Sequence, residues 1–221
     1  GRIFDGAASA SYGFTVEFQG NVPPPPPPGG TPLTLGETAS GSIAAGEADR
    51  YTFTLGAETR VLFDSLANRS DAVWSLSGPT GSLVSGRAFN SSDSHRAFFL
   101  FTLHPGDYTL TVNGVGDATP AYSFRLLDLA AAPPLTVGTP QSGTLDPATE
   151  TDLYRFTGTA GDRLFFDVVS RSGAPTALWR LVDPFGTVLF DPRNFEDVGV
   201  LTLPRSGPYT LLLEGFITDG G

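Results

Sequence analysis

The chain has 221 residues, 23 acidic groups against 13 basic ones, a formal net charge of −10, and neither Cys nor Met. The missing Cys excludes disulfide scaffolds, zinc–thiolate sites, Cys nucleophiles and iron–sulfur clusters, and the two His cannot make a three-His zinc centre. The acidic balance argues against a nucleic-acid surface, because neutralising phosphates takes clustered basic groups.

The first 20 residues hold Gly1-Arg-Ile-Phe-Asp5 and then Tyr12-Gly-Phe-Thr-Val-Glu-Phe18. In the second stretch Tyr12, Phe14, Val16 and Phe18 alternate with small or polar residues, which predicts a strand with one apolar face. Pro23 to Pro28 follow, within a segment 21–32. A proline run of this length adopts polyproline II and spans roughly 19 Å, so a stiff spacer is preferred over a plain disordered linker.

From residue 33 onward short β-branched and aromatic runs recur between Gly, Pro, Asp and Asn, as in Tyr51-Thr-Phe-Thr-Leu55, Arg60-Val-Leu-Phe63, Tyr108-Thr-Leu-Thr-Val112 and Tyr122-Ser-Phe-Arg-Leu126. No segment keeps a helical hydrophobic period, and no apolar run reaches the roughly 20 residues that span a bilayer. The predicted class is all-β.

These blocks then repeat. Leu33-Thr-Leu-Gly36 returns as Leu135-Thr-Val-Gly138, and Gly41-Ser-Ile43 returns as Gly143-Thr-Leu145. Asp49-Arg-Tyr-Thr-Phe-Thr54 returns as Asp152-Leu-Tyr-Arg-Phe-Thr157, and Trp74-Ser-Leu-Ser-Gly-Pro-Thr-Gly81 as Trp179-Arg-Leu-Val-Asp-Pro-Phe-Gly186. Gly106-Asp-Tyr-Thr-Leu110 returns as Gly207-Pro-Tyr-Thr-Leu211. The separation is 102 from Leu33 to Leu135, 105 from Trp74 to Trp179 and 101 from Gly106 to Gly207. Two homologous units follow, one over 33–130 and one over 131–221.

The first unit closes with Tyr122-Ser-Phe-Arg-Leu-Leu-Asp128. The second reaches Gly215 and Asp219 with no such segment after them, so it is expected to lack its last strand. Residues 1–20 carry a segment of the missing kind. The absent initiator Met implies a processed or trimmed chain.

The repeated blocks resemble the bacterial pre-peptidase C-terminal (PPC) domain family. The resemblance rests on Asp49/Tyr51/Phe53, Leu76/Pro79/Gly81 and Gly106/Tyr108/Leu110, and again on Asp152/Tyr154/Phe156, Leu181/Pro184/Gly186 and Gly207/Tyr209/Leu211. It implies two tandem antiparallel β-sandwiches of jelly-roll-like topology in a secreted protein, without catalytic activity of their own. Some relatives bind collagen, polysaccharide or Ca²⁺, and none of their binding motifs is clearly matched here.

The motif residues read as folding signals. Tyr51 with Phe53, Tyr154 with Phe156, and Trp74 and Trp179 are expected in the cores, and the Pro-x-Gly stretches in turns. There is no nucleophile elbow, HExxH, phosphate loop or EF-hand loop. His95 and His104 fall in or beside loops. Asp49 with Glu47, and Asp152 with Glu150, are candidate Ca²⁺ ligands against the commoner role of a turn cap. Asn68-Arg-Ser70 and Asn90-Ser-Ser92 match the glycosylation sequon.

The expected function is a non-enzymatic structural subunit of an extracellular or cell-surface fibre. Its N-terminal donor strand (Tyr12, Phe14, Val16, Phe18) would complete repeat 2 of the next subunit, assembling head to tail. The alternatives are a polysaccharide- or matrix-binding module and a passive spacer from a larger secreted protein. No cofactor is expected beyond the candidate Ca²⁺.

Overall fold

A computed structural model describes residues 13–17, 29–92, 100–173 and 176–218. Alternation of apolar and polar residues sets the strands. In β3 (Ala48–Leu55) the buried positions are Tyr51, Phe53 and Leu55, and in β8 (Gly106–Gly114) they are Tyr108, Leu110 and Val112. Each strand therefore shows one face to a core and the other outward.

The first sandwich contains β1 (Thr31–Pro32), β2 (Ala39–Ser42), β3, β4 (Thr59–Ser65), β5 (Ala72–Gly78), β6 (Gly81–Ala88), β7 (Leu100–Leu103), β8 and β9 (Ala121–Asp128). Sheet A has the order β1-β3-β8-β5-β6 and sheet B the order β2-β9-β4-β7. Apart from the parallel pair β1–β3, the pairings are antiparallel. Two antiparallel four-strand sets with crossovers between sheets make the jelly-roll layout that the resemblance implies. Sheet A takes in Thr31–Pro32, which the sequence places in the linker.

The second sandwich contains β10 (Thr151–Gly158), β11 (Arg163–Phe166), β12 (Leu178–Val182), β13 (Val188–Asn194), β14 (Val198–Thr202) and β15 (Gly207–Glu214). Sheet C, in the order β10-β15-β12-β13, repeats β3-β8-β5-β6. Sheet D pairs β11 with β14, which repeats only β4-β7. The all-β sandwich class is therefore as the sequence predicts.

Repeated turn chemistry confirms the correspondence. Gly106 and Gly207 both have φ of +141°. A Cβ on Gly106 would lie 2.3 Å from Pro79 Cγ, and one on Gly207 would lie 2.9 Å from Pro184 Cγ. Each glycine is needed both for its dihedral and for the ring packed over it. The Tyr108 hydroxyl donates to the His104 carbonyl at 2.7 Å, and the Tyr209 hydroxyl donates to the Arg205 carbonyl at 2.6 Å.

Three apolar layers hold the four sheets together. Between sheets A and B lie Trp74, Phe63, Phe89 and Phe124, with Phe63 stacked on Trp74 at 4.0 Å between ring centroids. Between sheets C and D lie Phe156, Trp179, Leu181 and Tyr209. The third layer joins the two sandwiches: Leu62, Leu127 and Leu129 from the first pack against Leu153, Val182 and Leu212 from the second. A buried polar cluster lies beside that layer. Arg125 donates to Asp64 Oδ2 from Nε at 2.8 Å and from Nη2 at 2.6 Å, reaches the Thr151 carbonyl at 2.9 Å, and pairs with Glu150 at 3.1 Å. Arg60 Nη1 also crosses the joint to the Pro184 carbonyl, at 2.6 Å.

Candidate functional site

In sheet B the strand β9 lies between β2 and β4, with Gly41 opposite Tyr122 and Ser65 opposite Phe124. Three inward side chains of β9 fill the centre of the first core: Tyr122, Phe124 and Leu126 are 3%, 0% and 0% exposed. Phe124 stacks on Phe63 at 5.0 Å and meets Tyr51 edge-on at 5.4 Å. Aromatic contacts of this geometry add to the stabilisation that area burial alone provides.

Among the described residues of the second sandwich no strand takes the place of β9. Residues 141–144, the counterpart of β2, form no strand and are exposed. A strand of this kind exists only when its backbone groups have a partner. The counterpart of β4 shortens from seven residues to the four of β11. Between these two segments runs a groove of about 350 Å³. Its lining includes Tyr154, Phe166 and Trp179, which correspond to Tyr51, Phe63 and Trp74 of the first core. The groove thus keeps three of the aromatic residues of the first core.

The electrostatics of the groove follow from one end of it. In the first sandwich the Tyr122 hydroxyl donates to Asp49 Oδ2 at 2.6 Å and lies 2.7 Å from the Tyr51 hydroxyl. Burial and the acidic neighbour push the Tyr122 phenol well above its ordinary range. In the second sandwich Asp152 and Tyr154 occupy the places of Asp49 and Tyr51. Burial raises the Asp152 carboxyl, Glu150 raises it further, and Arg125 opposes the shift. Burial also raises the Tyr154 phenol, with Asp152 adding to the effect.

The sequence-predicted donor residues are placed only in part. Tyr12 and Phe18 lie outside the described residues. Phe14 and Val16 are 79% and 87% exposed, and residues 13–17 form no strand. They are therefore not packed into the groove of their own chain.

The other candidates acquire structural roles or remain on the surface. Asp49 is the acceptor for Tyr122, and Glu150 is held by Arg125 and by the Asp146 amide at 2.8 Å. Among the described residues no three His, Asp or Glu side chains gather in a way that could hold a metal ion. His95 lies outside the described residues, and exposed His104 sits 3.5 Å from exposed Glu58. Ser92 of the second sequon is buried, accepting from Trp74 Nε1 at 2.7 Å and donating to the Ala88 carbonyl at 2.6 Å. Asn68 is exposed.

Sequence reasoning missed the joint between the sandwiches. Its signal was present in the doubled apolar pairs Leu126-Leu127 and Leu211-Leu212. Such pairs break the alternation and mark strands buried on both faces.

No family model matches the chain, and no curated protein matches it. The resemblance to PPC domains therefore rests on the repeated motifs. Among solved structures, the periplasmic lysozyme inhibitor PliG of Salmonella Typhimurium, an inhibitor of g-type lysozyme, is 19% identical with a TM-score of 0.37, over 45% of this chain and 97% of that one. The CUB1-EGF-CUB2 domains of rat MASP-1 are 11% identical with a TM-score of 0.27, over 80% of this chain and 92% of that one.

Proposed function

We propose that the protein is a structural subunit that polymerises head to tail at the cell surface or outside the cell, as a bacterial PPC-like fibre protein. The strand Tyr12–Phe18 of one subunit enters the groove of the second sandwich in the next and becomes the central strand of sheet D. The role is structural rather than catalytic. One observation carries this reading: the groove lies where β9 lies in the first sandwich, and it keeps the aromatic residues that hold Phe124 there.

The chemistry of the occupant matches. Tyr12-Gly-Phe-Thr-Val16 aligns with Tyr122-Ser-Phe-Arg-Leu126, so Phe14 takes the position of Phe124 and Val16 that of Leu126. An added strand also pairs with the backbone of residues 141–144 and β11, which are otherwise open edges. Donor segment and groove are different surfaces of one subunit, so the contact is heterologous and propagates. The acidic, Cys-free composition suits a secreted protein.

The test is to delete residues 1–20 and to make Phe14→Asp, then view each protein by electron microscopy beside the full chain. Full-length protein is expected as fibres and both variants as single particles. Fibres that persist in both variants would overturn the reading, as they would if covalently continuous chain filled the groove.

A further inference from the structure

The hydroxyl cluster of the first sandwich has an unambiguous proton count. The Tyr122 hydroxyl has one proton and donates it to Asp49 Oδ2, at 2.6 Å. The contact of 2.7 Å between the Tyr51 and Tyr122 hydroxyls must then have Tyr51 as donor. The chain of donation runs from Tyr51 to Tyr122 to Asp49. Gly41 makes room for it, since a Cβ there would lie 2.6 Å from the Tyr122 hydroxyl and 3.0 Å from Asp49 Oδ2.

The second sandwich keeps the outer members of this arrangement in its sequence. Asp152, Tyr154 and Gly143 correspond to Asp49, Tyr51 and Gly41. A Cβ on Gly143 would lie 2.9 Å from the Tyr154 hydroxyl and 3.2 Å from Asp152 Oδ2, so without a β9-like strand the Tyr154 phenol takes the place beside glycine and carboxylate that Tyr122 takes in the first sandwich. Tyr154 and Gly143 both line the groove. Burial acts on Asp152 and Tyr154 even before a strand is added.

We propose that Tyr12 of the incoming subunit is the specificity-determining residue of this groove, its hydroxyl accepting from Tyr154 and donating to Asp152 and so fixing the register of the donor strand. The inference rests on the donor-strand reading given above. Apolar burial alone does not fix register, because a slip by two residues keeps Phe14, Val16 and Phe18 on the same face. Such a slip puts Phe14 where Tyr12 belongs. It then buries Asp152 against a ring that has no proton to donate, and an unsatisfied buried acceptor costs more than the hydrogen bond itself gains. A site built to bond a hydroxyl rejects the analogue that lacks one.

The experiment is a double-mutant cycle in the full-length chain, read as the protein concentration at half-assembly. Tyr12→Phe is expected to raise that concentration about tenfold, in line with a hydrogen bond to a charged group. In an Asp152→Asn background the same change is expected to cost threefold or less, since the coupling is already broken. A cost that is equal in the two backgrounds, or absent in both, overturns the latch. Phe14→Asp separates the two readings. If it disperses the fibres while Tyr12→Phe changes nothing, the latch alone fails. If it also changes nothing, the donor-strand reading fails with it.

Discussion

Asp152 shows how one residue type changes its energetics with its neighbours. Its counterpart Asp49 accepts a hydrogen bond from Tyr122, whereas the Asp152 carboxyl is raised from its ordinary 3.8 by burial and by Glu150, against the pull of Arg125. A carboxyl raised in this way keeps its proton in the folded chain at a pH where the unfolded chain has lost it. Unfolding then releases a proton, so stability falls as pH rises through the interval between the two values. Asp152→Asn removes that slope. In the non-assembling Phe14→Asp chain, the melting temperature of the added Asp152→Asn variant should match its parent below pH 3.8. It should exceed the parent by a growing margin as pH rises through the raised value, and then level off. A margin that does not change with pH would show that Asp152 carries no burial cost.

At the scale of the element, a strand depends on its neighbour as much as on its own sequence. Gly41-Ser-Ile43 and Gly143-Thr-Leu145 are the same block, yet Gly41 lies in β2 and Gly143 lies in no strand. The difference is β9, which pairs with Ala39–Ser42. Assembly should therefore create a strand over residues 141–144 and lengthen β11. Hydrogen exchange should show the amides of 141–144 and 167–170 slowed by at least tenfold in fibres relative to the Phe14→Asp chain, with β3 and β8 unchanged. Equal exchange in both forms would count against strand addition. The sequence makes the strands, the repeat and the core aromatics legible, because alternation and turn chemistry are local signals. Comparing the two units raises the expectation that a strand like β9 is supplied to the second from elsewhere. It does not show the placement of β9 between β2 and β4, which depends on pairings far apart in the chain. The hydroxyl chain from Tyr51 to Asp49 was hidden for the same reason: Tyr51 and Tyr122 are 71 positions apart.

For the whole molecule, the proposed assembly gives the joint between subunits a different chemistry from the joint within one. Within the chain, Leu62 and Leu127 of sheet B press on Leu153, Val182 and Leu212 of sheet C, and Arg125 ties Asp64 to Glu150 beside them. In the proposed assembly the corresponding positions on sheet D and the donor strand would be Phe165 for Leu62, Glu17 for Leu127 and Thr15 for Arg125. Those facing them on sheet A of the next subunit would be Arg50 for Leu153, Ser77 for Val182 and Thr111 for Leu212. Phe165, at 55% exposed, is left without the apolar surface that covers Leu62. The connectors differ in the same sense. Residues 129–133 link β9 to the bridge at Pro134, whereas residues 19–31, with their proline run, link the proposed donor segment to Pro32. A packed apolar joint resists bending, and a polar one on a longer connector does not. Fibres should therefore bend at every second boundary between sandwiches. Leu212→Ala, which cuts into the packed joint, should lower subunit stability by about 2–5 kcal/mol, as other buried Leu truncations do. Class averages of single fibres should show one angle between paired sandwiches within a subunit and a wide spread of angles across the donor strand. Deleting Pro23–Pro28 should narrow that spread or block assembly. A uniform angle at all boundaries would mean that sheets D and A pack against each other after all, despite Arg50 and Glu17.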